Sequence, residues 1–185
     1  MITARNKLQL TFAILKPDLM QRPFAAKVVQ NIIVREGFYI VRSTLTHWKV
    51  EDARQFYAEH KGKLFFHRLV TYMTSGPINP LVLAHPDAVS AWRTLMGPTK
   101  SYVACTAAPL SIRGTFGISD TRNSVHGADS IISATREMGL LFQDFDPVEW
   151  FANEEAGFRS GVMHYNKQTN QHELLYASKI NQGKG

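Results

Sequence analysis

The order in which two hydrophobic periods follow one another constrains this chain most. Residues 8–15, LQLTFAIL, alternate and then run continuously apolar, as a strand entering a core does. Pro17 and Pro23 bracket a turn, after which Phe24, Val28 and Ile32 recur at helical spacing until Gly37 stops the pattern. FYIVRSTLTHW, residues 38–48, is rich in aromatic and β-branched side chains and reads as a second strand. Ala53, Phe56, Tyr57 and His60, then Phe66, Leu69, Val70 and Met73, follow the i, i+3, i+4, i+7 rule in two short helices ending at Gly76-Pro77. INPLVLA supplies a third strand, and Val89, Trp92 and Met96 mark a helix ending at Gly97-Pro98. Residues 98–111, with two prolines, read as a loop. SIRGTFGIS and NSVHG restore a strand pattern. A last helix, capped by Asp129 or Ser130, then buries a stripe of Ile131, Thr135 and Met138.

That order suits an α/β (α+β sandwich) domain with a ferredoxin-like β-α-β-β-α-β core: a four-stranded antiparallel sheet with helices packed on one face. At 185 residues the chain can bury such a core without staples. The domain is expected over residues 1–155. Periodicity fades from Glu154, and residues 156–185 carry four Lys or Arg against one Glu, which predicts a loosely ordered basic extension.

A single cysteine, Cys105, excludes an intramolecular disulfide or a multi-cysteine metal site. With no histidine or cation beside it, it reads as a small buried hydrophobe. No apolar run approaches the roughly 20 residues of a membrane span, and the N-terminus lacks a signal peptide's apolar core. These features predict an intracellular protein, cytoplasmic or, given the basic MITARNKL, mitochondrial. A net charge of +6 favours polyanionic partners such as nucleotides. Nucleic acid stays open on charge alone, since no K/R-rich block or aromatic-interleaved RNA motif accompanies it.

The ready-made phosphate motifs are absent: there is no G-x-x-x-x-G-K-[ST], and GTFG falls short of the dinucleotide fingerprint. HELLY at 172 lacks the second histidine of a metalloprotease. Among seven histidines, His126 in TRNSVHGADS is set apart by its company. TFAILKPD, FYAEHKGKLFFHRLVTYMTSGP, WRTLMGPT, SIRGTFG and TRNSVHGADS follow the order of the blocks of the nucleoside diphosphate kinase family. The chain resembles that family over roughly residues 10–150, and most of all its divergent type 6 subgroup.

The resemblance implies ping-pong transfer of the γ-phosphate of a nucleoside triphosphate to a nucleoside diphosphate through a pros-phosphohistidine at His126. A neutral imidazole is a good nucleophile for phosphorus near pH 7, and Gly127 is expected to leave room for phosphate to approach. Glu137 would hold the ring's other nitrogen and fix its tautomer. By family position Lys16, Arg93 and Arg113 would gather the phosphates, their charge aimed outward from element ends, with Thr99 and Asn123 assisting. Tyr57 would lie close to the transferred group. Phe65 and Leu69 would sandwich the base by its π-face, accepting any base. Mg²⁺ would ride on the nucleotide phosphates, with no protein ligands expected. A homo-oligomer is implied too. Taken alone, Tyr57, Phe65 and Leu69 read as core and Arg93 and Arg113 as surface, Arg113 in SIRG being the least easily dismissed.

Two departures matter. The family's usual serine two residues after the histidine is Ala128 here, and the segment from Thr99 to Arg113 is a few residues longer than usual. With the other site residues retained, the first favours a slow enzyme over a dead one, and the second bears on nucleotide closure and assembly; the subgroup is often weak or silent when isolated. The alternative reading is a nucleotide-binding regulatory protein that acts through a protein partner.

Overall fold

The structure is a computed structural model that describes residues 6–175. Its sheet is four-stranded in the order β2-β3-β1-β4, from β1 (Gln9–Leu15), β2 (Tyr39–Ser43), β3 (Asn79–His85) and β4 (Val125–Gly127). Every pairing is antiparallel, with Ala13 opposite Leu81 and Ile14 opposite His126. This is the ferredoxin-like arrangement expected. Successive side chains of β1 point to opposite faces. Phe12 and Ile14 accordingly enter one core while Ala13 and Leu15 enter another.

Both faces are covered, which corrects the expectation of helices on one face. On the Ala13 side lie α1 (Pro17–Met20), α2 (Pro23–Arg35), α5 (Ala88–Met96) and α7 (Ile112–Phe116), contributing Leu19, Val29, Trp92 and Ile112. On the Phe12 side lie α3 (Val50–Phe56), α4 (Phe66–Met73), α8 (Ile131–Leu141), α9 (Pro147–Asn153) and α10 (Glu155–Ser160), contributing Phe56, Met73, Met138, Trp150 and Phe158. A single layer would leave one side of β1 and β3 in water, although Leu15, Leu81, Leu83 and Val82 are all fully buried.

Two helices are rotated from the expected phase. In α2 the sheet-facing stripe is Ala26, Val29, Gln30 and Ile33, and Phe24 is 85% exposed. In α8 it is Ala134, Glu137 and Met138, with Ile131 and Thr135 outside. The expected loop at 98–111 contains α6 (Ser101–Ala107), and the strand expected in SIRGTFGIS is instead α7, capped by Ser111 Oγ accepting from Gly114 N at 3.1 Å. Pro109 separates the two helices. Cys105, on α6, is exposed rather than buried.

Residues 156–175 are regular rather than loose: α10 runs into a hairpin of β5 (Met163–Asn166) and β6 (Gln171–Leu174). The remainder of the expected extension, 176–185, lies outside the described residues. β2 is one of the two outer strands, and this hairpin packs along its edge. Ile40 N–H donates to His172 Nδ1 at 2.9 Å, and Gln171 Nε2 to the Ser43 carbonyl at 3.4 Å. Burial pushes the His172 imidazole down to about 4, and the charge of His164 adds to the shift in the same direction. The ring is therefore neutral and its Nδ1 serves as an acceptor. An outer strand left open would present unpaired backbone groups.

Candidate functional site

β4 brings His126 to the Phe12 side of the sheet, where Phe56 and Tyr57 surround the ring at centroid distances of 5.2 and 6.4 Å. Glu137 reaches it from α8: His126 Nε2 lies 2.8 Å from Glu137 Oε2. The Glu137 carboxylate is buried, and its other oxygen lies 3.5 Å from Arg136. No hydrogen bond among the described residues occupies Nδ1. The Tyr57 hydroxyl is buried without a hydrogen-bond partner among the described residues. Burial and, second, the charge of Glu137 push its phenol far above its ordinary range, so it remains a neutral donor.

The cations lie at the start of α1 and on α7. Lys16, where β1 gives way to α1, donates to Asn123 Oδ1 at 2.6 Å, and its backbone N–H to the Ser124 carbonyl at 2.9 Å. Arg113 donates to the carbonyls of Gly97 at 2.9 Å and Val125 at 3.0 Å, and reaches Thr99 Oγ1 at 3.5 Å. Asn123 Nδ2 donates to the Thr99 carbonyl at 3.0 Å. Lys16, Asn123, Thr99 and Arg113 thus form one connected set. Both cations are buried rather than aimed out into solvent, at 6% and 7% exposure. Burial first, then the charge of Arg113, pushes the Lys16 amine down to about 7, while Asp18 opposes the shift. Burial and then Arg93 lower Arg113 to about 10. Two desolvated cations side by side are poised for anions. Arg93 is exposed beside this set.

Phe65 and Leu69 share one face of the α4 N-terminus, Leu69 N–H bonding the Phe65 carbonyl at 2.9 Å. Phe65 is 40% exposed, more than a core residue would be, and Leu69 is half-buried. His60 links them to the histidine pocket, its ring 5.4 Å from Phe65 and 6.1 Å from Tyr57.

Gly127 does not make room for a phosphate. It faces the other side of the sheet, where a Cβ would collide with the Trp92 indole and with Met96, so the glycine admits Trp92. Ala128 returns to the His126 side and is buried with Ala134 and Met138, which flank Glu137 on α8.

Sequence reasoning gave no role to Asp18, Tyr72, Ser124 or Trp92. Trp92 Nε1 donates to the His126 carbonyl at 3.1 Å. Asp18 Oδ2 accepts from Ser124 N at 3.1 Å and from Ser124 Oγ at 3.2 Å, and Tyr72 Oη donates to Asp18 Oδ1. Asp18 stood inside the quoted KPD motif. Ser124 carried no signal, because its positive φ of 67° is unusual for a residue with a side chain.

A half-buried histidine bonded to a carboxylate, beside a set of cations in a ferredoxin-like fold, is the kind of site that histidine-centred phosphate chemistry would use. The family model for nucleoside diphosphate kinase matches residues 9–146. The chain is 48% identical over 165 residues to mouse nucleoside diphosphate kinase 6, covering 89% of this chain and 87% of the mouse protein. It is 46% identical to the human protein of that name, covering 89% of each. The Aquifex aeolicus nucleoside diphosphate kinase superposes with a TM-score of 0.70 at 35% identity, over 77% of this chain and 98% of that one. The Encephalitozoon cuniculi enzyme gives 0.69 at 31%, over 80% and 98%. This chain belongs to the nucleoside diphosphate kinase family, and its kind is that of a nucleotide-binding phosphotransferase.

Proposed function

We propose that the protein moves the γ-phosphate of a nucleoside triphosphate to a nucleoside diphosphate in two half-reactions through His126. The observation that carries this is the bond from His126 Nε2 to Glu137 at 2.8 Å, which leaves Nδ1 as the attacking atom. The Nδ1 lone pair forms a bond to the γ-phosphorus, the bond from that phosphorus to the β-phosphate oxygen breaks, and the nucleoside diphosphate leaves. A second diphosphate then attacks the phosphohistidine and restores the free ring. Through both steps Nε2 keeps its proton against Glu137, whose charge balances the modified ring.

Lys16, Arg113 and the exposed Arg93 supply positive charge where the transferred group gathers negative charge, with Thr99 and Asn123 completing the cradle and the unpartnered Tyr57 hydroxyl donating to it. Phe65 and Leu69 hold the base by its face. Among the described residues no three His, Cys, Asp or Glu gather as ion ligands. Mg²⁺ carried on the nucleotide phosphates would neutralise charge there. A slow reaction is part of the proposal, since Ala128 brings no hydroxyl to the Glu137 pocket.

Incubation with γ-labelled ATP and Mg²⁺ should yield an acid-labile phosphoprotein that any nucleoside diphosphate discharges, and His126→Ala should take no label. Absence of label on the unaltered protein at every concentration, or label persisting in His126→Ala, rejects the mechanism.

A further inference from the structure

We infer that Asp18 is the positioning residue for the phosphate site, locking the Asn123–Ser124 turn so that Lys16, Arg113 and His126 share one geometry; the catalytic part of this rests on the function proposed above. Asp18 is buried on α1, two residues beyond Lys16. One of its oxygens takes both the N–H and the hydroxyl of Ser124, and the other takes Tyr72 Oη from α4. Arg22 lies farther off, at 3.9 Å. Those bonds hold Ser124 in the left-handed region that a side chain disfavours.

The held turn has three outputs. Asn123, on one side of Ser124, presents the oxygen that takes the Lys16 amine at 2.6 Å. Ser124 itself accepts the Lys16 backbone N–H at 2.9 Å. Val125, on the other side, accepts from Arg113 at 3.0 Å, and the next residue is His126. A relaxed turn at Ser124 would shift all three side chains together. The carboxylate has a second effect on the same group: of the charges that face Lys16, Arg113 disfavours its protonated form and Asp18 favours it.

Asp18→Asn separates the two effects, because its amide oxygen can still accept from Ser124 while the charge is gone. Asp18→Ala removes both. At saturating ATP, Asp18→Ala should label His126 roughly ten- to a hundredfold more slowly, the cost of misplaced reacting groups, with a smaller change in ATP affinity. Asp18→Asn should recover most of the rate at low pH. It should also titrate Lys16 at lower pH than the unaltered protein does, followed by NMR of ¹³C-labelled lysine without nucleotide, and lose activity earlier as pH rises. The NMR titration needs no activity, so an unlabelled parent protein would reject the proposed function while this reading is still tested. If Asp18→Ala fails to fold, Asp18→Asn decides the matter. Parental labelling rate and an unmoved Lys16 titration in Asp18→Asn, or a folded Asp18→Ala with the parental rate, would overturn the inference.

Discussion

The Trp92 indole donates to the carbonyl of His126 at 3.1 Å and fills the space that a side chain on Gly127 would occupy. The strand that carries His126 is thus anchored from behind by a ring on the opposite side of the sheet. Gly127→Ala must displace Trp92, which is fully buried, and Met96. The φ at Gly127 is not positive, so the cost is packing alone. We expect a loss of about 1–3 kcal/mol in denaturant titrations, from overpacking. Unchanged stability would mean that Trp92 has room to move.

If phosphates bind at Lys16 as proposed, nucleotide binding is a proton-linked event. Its amine sits near 7 without ligand, because of burial and Arg113, and bound phosphates favour the charged form. Binding of ATP at pH 8 should therefore take up close to one proton at this amine, as most of the sites are uncharged beforehand. Below pH 6 the uptake should vanish. Calorimetry in buffers of different ionisation enthalpy measures this directly, and Lys16→Met should abolish it.

The closed edge of β2 gives an acid-sensitive contribution to stability. His172 titrates near 4 in the folded chain against 6.5 ordinarily. The unfolded chain binds more protons between those values, so this stability is present above 6.5 and is lost as pH falls toward 4. Protonation places a hydrogen on Nδ1, the atom that accepts from Ile40. Thermal melts should fall across this window, and the protection of the Ile40 amide relative to its intrinsic exchange rate should drop. His172→Asn, which keeps an acceptor that does not titrate, should flatten the slope.

What the sequence disclosed follows from which interactions are periodic. The continuous apolar runs FAIL and LVLA make β1 and β3 legible, and the burial on two faces that such runs call for is what the one-face expectation left out. The phase of α2 was not, because Ala25-Ala26, Val28-Val29 and Ile32-Ile33 supply apolar residues to two adjacent stripes. In α8 the buried stripe contains Glu137, a charge that breaks an apolar pattern and is explained by His126 eleven positions away. SYVACTA carries no amphipathic stripe, so α6 stayed hidden. His126, Lys16 and Arg113 stood out through their motifs, but the Asp18 lock on Ser124 depends on a backbone angle that no residue type announces.

Ala128 offers the most direct test of what limits the chemistry. Its backbone N–H bonds the Phe12 carbonyl at 3.1 Å, and its methyl is buried on the same side of the sheet as His126, against the residues flanking Glu137. A serine hydroxyl there has two fates. Paired with the Glu137 carboxylate, it supports the His126 contact where the ring gains charge, and an interaction stronger in the transition state lowers the barrier. Ala128→Ser should then raise the single-turnover rate of His126 phosphorylation about tenfold for each 1.4 kcal/mol so gained, with ATP affinity little changed. Left unpaired, the hydroxyl would cost about 1–3 kcal/mol of stability and give no rate. A melt and a quench-flow trace on one preparation distinguish these outcomes. The other proposed cause of a slow reaction is the Thr99–Arg113 segment, folded as α6 and α7 with Tyr102 and Leu110 exposed, which would act through assembly and ignore residue 128. Rates that rise with protein concentration in both parent and variant, with no gain from serine, would place the limit in that segment instead of in the missing hydroxyl.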